Sequence, residues 1–171
     1  MTLRKELKVP SIDGKLLLET IELIEYISRE LELEKWSVED DTVLFESEAV
    51  AKDIEEKKSR LEDLTKRKID ILEFDNYECA CSTEEVATDF LMPEAPYVPE
   101  ITEEQLAELI QEFSTFEQIT INHENYYLRL LEKSFGLNDI SDYIFWPNVK
   151  GMSLDAEPIE IARKIIEDSK K

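Results

Sequence analysis

The heptapeptide Ser-Asp-Tyr-Ile-Phe-Trp-Pro, residues 141–147, decides the fold predicted for the C-terminal half of the chain. Four large apolar side chains stand in a row between an acid and a proline. Because Pro147 has no N–H and a fixed φ, the stretch has room for one or two helical turns. Consecutive helical residues point about 100° apart, and a helix this short therefore cannot bury all four side chains. At least one ring is therefore expected to face outward.

Longer amphipathic helices flank this short one. Apolar positions recur at spacings of three and four before and after it, which is typical of helices packed on one face. The helix that follows Thr102 is predicted to end near Gln118. The capping and stop signals are Thr102 with Gln105, Asn122, Gly136, and Asp155 followed by Glu157 and Pro158. These signals predict an antiparallel four-helix bundle over residues 101–171, with one very short helix.

The N-terminal half carries two further helical patterns, at about 13–34 and 47–72. A short strand at 42–45, or a hairpin within 69–81, remains an alternative because apolar and polar residues partly alternate there. Prolines 93, 96 and 99 prevent a helix and favour an extended connector. The predicted organisation is an acidic, mostly helical region at 1–92, a connector at 93–100 and the bundle at 101–171.

Composition supports an all-α class and limits the partners. The chain has 3 glycines in 171 residues, too few for the turns of an all-β protein. Its 41 acids and 20 bases give a net charge of −21, which would repel nucleic acid and anionic lipid. A basic protein is the partner that this charge favours.

Several kinds of site and location are not expected. No apolar run reaches the roughly 18 residues of a membrane helix, and residues 1–10 lack the apolar segment of a secretory signal, so a cytoplasmic protein is expected. Cys79 and Cys81 are too close for an unstrained disulfide, and His123 is the only histidine, which argues against a zinc site. No pairing of nucleophile and base suggests an enzyme or a cofactor. The oligomeric state stays open.

The helix order resembles the immunity proteins of nuclease colicins and pyocins over residues 101–169. In that family the short third helix carries a Ser/Thr-Asp-Leu-Ile-Tyr-Tyr-Pro signature, and a Ser-Pro-Glu-Gly segment opens the fourth helix. Ser141, Asp142, Ile144 and Pro147 match the signature in type, whereas Tyr143 stands for leucine.

The resemblance implies a stoichiometric inhibitor of a basic nuclease toxin. In that family the tyrosine pair and the acid before it form a shared binding centre, and acids of the second helix choose the partner. Phe145 lacks the tyrosine hydroxyl and Trp146 offers only an indole N–H, so partner specificity is expected to differ. Tyr126 and Tyr127 are expected to divide between surface and core, and an exposed Tyr126 near Glu124 would make a secondary contact. The candidate partner-binding residues are Glu124, Glu132, Asp142, Tyr143, Phe145 and Trp146.

A rival interpretation is an acidic helical adaptor that joins partners through its N-terminal helices and neutralises no toxin. The two hypotheses differ in where the aromatic run lies. A ring exposed beside acids favours the inhibitor, whereas a fully buried run favours the adaptor.

Overall fold

The computed structural model describes residues 3–33, 36–39, 42–74, 82–114 and 121–170. They form two compact units, one of Ser11–Met92 and one that combines Met1–Pro10 with Pro93–Lys171. Both are predominantly helical, which confirms the all-α class. Cys79 and Cys81, with most of the alternative hairpin at 69–81, lie outside the described residues.

In its described residues, the unit of residues 11–92 is built on three α-helices and a hairpin. Helix α1 packs against both α2 and α3. The helix predicted at 13–34 and the strand at 42–45 are confirmed. The elements are α1 (Gly14–Leu33), β1 (Trp36–Glu39), β2 (Thr42–Phe45), α2 (Glu48–Thr65), a 3-10 turn (Ile71–Phe74) and α3 (Thr83–Leu91).

Its core, in the described residues, is largely aliphatic and includes an aromatic pair. The rings of Phe74 and Phe90 meet edge to face at 6.2 Å between centroids, a favoured aromatic geometry. The buried members of the core are Ile24, Ile27, Leu31, Ile54, Leu61, Ile69, Phe74, Ala87 and Phe90.

The prediction that the second helix extends to residue 72 is wrong, because α2 ends at Thr65. Lys66 adopts a left-handed conformation at φ 57°, and its N–H donates to the Glu62 carbonyl, which closes the helix. Helix α3 was not among the predicted helices. Its signal is the capping box of Ser82 and Glu85, in which each side chain bonds the other residue's backbone N–H.

The second unit contains four α-helices among its described residues. Helix α4 packs along α7, and α6 contacts both α5 and α7. The elements are a 3-10 turn (Lys5–Leu7), α4 (Glu103–Ser114), α5 (Ile121–Phe135), α6 (Ile140–Phe145), a 3-10 turn (Pro147–Lys150) and α7 (Pro158–Asp168). Fully buried core residues are Leu7, Leu106, Leu109, Ile110, Leu130, Leu131, Ile140 and Ile165.

Two of the predicted helix signals of this unit are confirmed. The Thr102 hydroxyl accepts from the Gln105 backbone N–H at 3.3 Å, and the side-chain Oε1 of Gln105 accepts from the Thr102 backbone N–H at 3.2 Å. Gly136 ends α5 with φ 68°, a conformation that favours glycine, and its N–H bonds the Glu132 carbonyl.

Two predicted caps are wrong. Asn122 is buried inside the first turn of α5, which begins at Ile121, whereas a cap at Asn122 would require the helix to begin at His123. Asp155 precedes α7 by three residues and accepts a hydrogen bond from the Ser153 hydroxyl at 2.8 Å. Pro158 takes the first helical position, where its missing N–H has no consequence, and this makes Glu157 the cap.

The first ten residues belong to this second unit. Leu3 and Leu7 are buried, the Arg4 guanidinium donates to the Pro99 carbonyl at 3.0 Å, and the Val9 backbone hydrogen-bonds the Tyr127 hydroxyl. The predicted region of residues 1–92 is therefore divided. Its first ten residues group with the C-terminal unit, and residues 11–92 are inserted between them in sequence.

Candidate partner-binding surface

Helix α6 directs its aromatic residues to different environments. Ile140 and Tyr143, three positions apart, are both buried. Trp146 continues that spacing, but its backbone leaves helical geometry at φ −134° and ψ 53°. Its side chain is consequently 62% exposed. This confirms the expectation that one ring of the short helix faces outward, and identifies which one.

Tyr143 lies in the interior and ties α6 to α7. It is 4% exposed, and its hydroxyl donates to Asp168 Oδ2 at 3.0 Å. Burial, together with the neighbouring carboxylate of Asp168, raises the pKa of Tyr143 to about 12, so the hydroxyl remains a donor at neutral pH. Its placement makes Tyr143 a packing residue and not an exposed anchor. Phe145 is half-buried.

Asp142 is near an internal cation. The Lys150 ammonium lies 3.8 Å from Asp142 Oδ2, bonds the Asp139 carboxylate and sits 4.6 Å from the centroid of the Tyr143 ring. The hydrogen bond to Asp139 contributes most to raising the pKa of Lys150. Two acids thus share one base beside Trp146, and the group retains one net negative charge. The sequence-based choice of Asp142 overlooked both Asp139 and Lys150.

The two candidate acids on α5, Glu124 and Glu132, lie at different positions along the helix axis. Glu124 is in the first turn and Glu132 in the last turns, and both are half-buried. Eight residues separate them, about 12 Å along the helix axis. Glu132 is the nearer of the two to the connection that leads into α6. Among the candidate residues, Trp146 and Asp142 are joined directly, because the Trp146 N–H donates to the Asp142 carbonyl at 3.1 Å.

Tyr126 is buried, so the expected secondary contact at the surface is wrong. Its ring meets that of Tyr127 edge to face at 6.3 Å. Tyr127 is also buried, and its hydroxyl lies 3.1 Å from Glu112 Oε2, which links α5 to α4. Both tyrosines therefore belong to the core, and neither offers a surface contact.

An exposed apolar residue extends the surface beyond α6. Val149 is 65% exposed, and its N–H donates to the Trp146 carbonyl at 2.9 Å, one turn later. We call Trp146 and Val149, with the group of Asp139, Asp142 and Lys150, the Trp146 surface. Sequence reasoning stopped at Pro147 and missed Val149. The signal was the apolar residue between Pro147 and Gly151, two turn-forming residues.

The comparisons with known proteins found no counterpart: no protein-family model, curated protein or solved structure matches this chain. Among the helices of the described ranges, none combines the length and the apolar character needed to cross a bilayer. Within the same ranges, no three His, Cys, Asp or Glu side chains are grouped to hold a metal ion.

Proposed function

We propose that this chain is a cytoplasmic immunity protein that binds and neutralises a basic protein toxin, most specifically a bacteriocin nuclease, without catalysing a reaction. The observation that carries the proposal is the 62% exposure of Trp146 at the end of α6, in a chain of net charge −21. A basic partner would bind at the Trp146 surface.

The apolar part of this surface supplies an anchor. Tryptophan is the residue most typical of interface hot spots, because a large ring buried on binding removes much apolar area from water. Val149, one turn away and equally exposed, widens the apolar centre. Phe145, the residue before Trp146, is half-buried and adds a second aromatic side chain to this end of α6.

The charges would steer the partner. Residues 1–10 and 93–171 hold 17 acids and 10 bases, a formal net charge of −7 for this unit alone. Such a field accelerates the encounter with a basic protein. Asp142 contributes as part of the shared group with Asp139 and Lys150, so a partner cation competes with Lys150 for it. Glu132 and Glu124 add charge along α5.

The helix order supports the finer form of the proposal, an immunity-like antiparallel bundle. Helix α6, six residues long, lies between the longer α5 and α7 in sequence, and Glu157-Pro158 opens α7. The exposed ring also separates the two hypotheses of function. The adaptor interpretation is favoured by a buried aromatic run, and Trp146 is not buried.

A nuclease inhibition titration tests the proposal. Immunity genes accompany their toxins, so the partner to express is the basic nuclease-like protein encoded beside this gene. We expect nuclease activity to fall to zero at one inhibitor per toxin. A neighbour unrelated to toxins, or a nuclease that remains fully active in excess inhibitor, would contradict the proposal.

A further inference from the structure

The β1–β2 hairpin of the other unit has one packed and one open face. The strands pair antiparallel, with Trp36 opposite Phe45 and Ser37 opposite Leu44. Trp36 and Phe45 pack against the core of their unit, and the Trp36 indole donates to the Leu31 carbonyl at 3.1 Å. Side chains alternate between faces, so Ser37 and Leu44 share the opposite face, where both are exposed.

The hairpin also has open edges. In the part of the chain that the structure describes, the sheet has two strands, and no backbone hydrogen bond joins either one to a third. Natural edge strands are commonly protected by lysine or proline, and Trp-Ser-Val-Glu and Thr-Val-Leu-Phe contain neither. Strand β2 contacts α2, so the outer edge of β1 is the more accessible one.

The surroundings of this edge are acidic and partly apolar. Residues 30–48 contain eight acids and one lysine, a formal charge of −7. Leu33 is 75% exposed at the end of α1, and Leu44 is 44% exposed on the open face. A cleft at the open end of the hairpin is lined by Trp36, Ser37, Leu44, Phe45 and Glu46.

We propose that the β1 edge binds an extended basic peptide segment of a partner protein as a third strand. Main-chain hydrogen bonds to β1 would provide affinity, as in other cases of strand addition. Alternate Lys or Arg side chains would lie among the acids of residues 30–48, and the apolar side chains between them would lie beside Ser37, on the open face that Ser37 shares with Leu44. This interaction is independent of the Trp146 surface.

A designed peptide tests the strand addition. The probe is Lys-Val-Lys-Val-Lys-Val-Lys, and its control has the same charge with each valine replaced by proline, which cannot continue a ladder. We expect the valine peptide to bind at least tenfold more tightly and to slow hydrogen exchange of the amides in 36–39. Equal binding of both peptides, no binding, or protection confined to other residues would overturn the proposal.

Three variants locate the site. Leu44→Lys places a like charge on the open face and should weaken the valine peptide at least tenfold. Leu18→Lys is the matched control, since Leu18 is also exposed but lies about 22 Å from Leu33 along α1; it should leave affinity unchanged. Trp146→Ala should also have no effect. Loss of peptide binding in Trp146→Ala or Leu18→Lys, or full binding in Leu44→Lys, contradicts the hairpin site.

Discussion

Trp146 is the residue whose replacement best distinguishes binding from folding. Trp146→Ala should weaken the complex with the cognate toxin by about 2 kcal/mol or more, the threshold of an interface hot spot. Stability should change little, because the ring is 62% exposed and contributes little to the core. Calorimetric titration and thermal unfolding of the same samples measure both quantities.

Tyr97→Ala is the matched control for this substitution. Tyr97 is 61% exposed in the same unit and lies outside the Trp146 surface, so its loss should leave affinity unchanged. Equal weakening by both variants would show that exposed aromatic area in general drives association. A Trp146→Ala variant that unfolds easily but binds normally would mean that the ring supports the fold.

Ser28 offers a test of packing inside α1. Its side chain is buried, and its hydroxyl has no hydrogen-bond partner among the residues that the structure describes. Because an unsatisfied buried hydroxyl is destabilising, Ser28→Ala should raise the free energy of unfolding by about 1 kcal/mol. Ser59→Ala, on the exposed face of α2, isolates the difference in helix propensity. If thermal unfolding shows the same increase in stability for both variants, burial of the Ser28 hydroxyl does not destabilise the protein.

At the residue scale, the sequence predicted that a ring faces outward but not which ring. Tyr143 and Trp146 are three positions apart, so an uninterrupted helix would have placed both on the buried face. The backbone of Trp146 leaves the helix before Pro147, and that departure turns the ring to solvent. Tyr143 was chosen as a candidate contact because it belongs to the aromatic run. Its burial was not predicted, since its bond to Asp168 joins residues 25 positions apart, beyond the reach of local patterns.

The end of α2 should respond to acid through Glu62. The Glu62 carboxylate accepts from the Lys68 ammonium at 2.7 Å and the Ile69 N–H at 3.1 Å. These bonds lower its pKa from 4.5 to about 2. A carboxyl whose pKa is lower when folded stabilises the protein above pH 4.5, and this contribution is lost as the pH falls towards 2.

Glu62→Gln should therefore destabilise the protein near neutral pH by about 2 kcal/mol, a typical value for a charged hydrogen bond. The difference from the parent protein should shrink below pH 4.5 and vanish near pH 2. Chemical denaturation across this pH range measures it, with Glu56→Gln on the exposed face of α2 as the control. A gap that is constant with pH would contradict the role given to the carboxylate.

Among the elements, clear apolar spacing predicted helices. Helix α1 was predicted from its spacing alone, and the start of α4 was predicted also from its capping box, whereas the predicted end near Gln118 lies outside the described residues. Strand β2 was one of the stated alternatives. The second helix was predicted too long because Ile71 and Leu72 continue its apolar spacing. The left-handed backbone of Lys66 nevertheless ends the helix. Helix α3 was missed because it spans nine residues, and an apolar face that short does not by itself identify a helix. Only the capping box marks its start.

At the scale of the molecule, the first ten residues should stabilise the C-terminal unit. Leu7 is fully buried there, so Leu7→Ala should lower the free energy of unfolding by about 2 to 5 kcal/mol, the range for a buried leucine.

A fragment of residues 93–171 should melt cooperatively with helical circular dichroism, and at a higher temperature when residues 1–10 are joined to it through a flexible linker. Identical melting of the two fragments would refute this role.

Association with the toxin should depend strongly on salt. A net charge of −21 attracts a basic partner over long distances, and ions screen that attraction over about 10 Å at 0.1 M salt. Stopped-flow association rates should fall steeply as salt rises, whereas dissociation rates should change less. An association rate indifferent to ionic strength would make the net charge incidental to binding.

The attachment of residues 1–10 to the C-terminal unit was beyond prediction from local patterns. Arg4 bonds Pro99, 95 positions away, and no helical spacing or cap reports so distant a contact. The proline signals did mark the end of the inserted unit, since Pro93 begins the return to the second unit. Periodicity describes which face of an element is apolar, but not which distant segment covers it.

The insertion of residues 11–92 also imposes an order on biosynthesis. The ribosome releases residues 1–10 first, but 82 further residues must emerge before Pro93 appears. At about 5 to 20 residues per second, the residues that follow Pro93 reach Leu3 and Leu7 only after at least roughly 4 to 16 s, and synthesis of the inserted unit is complete by the end of that time. The nascent chain therefore exposes two leucines without their packing partners during this interval, and a chaperone that recognises short apolar segments would have time to bind them.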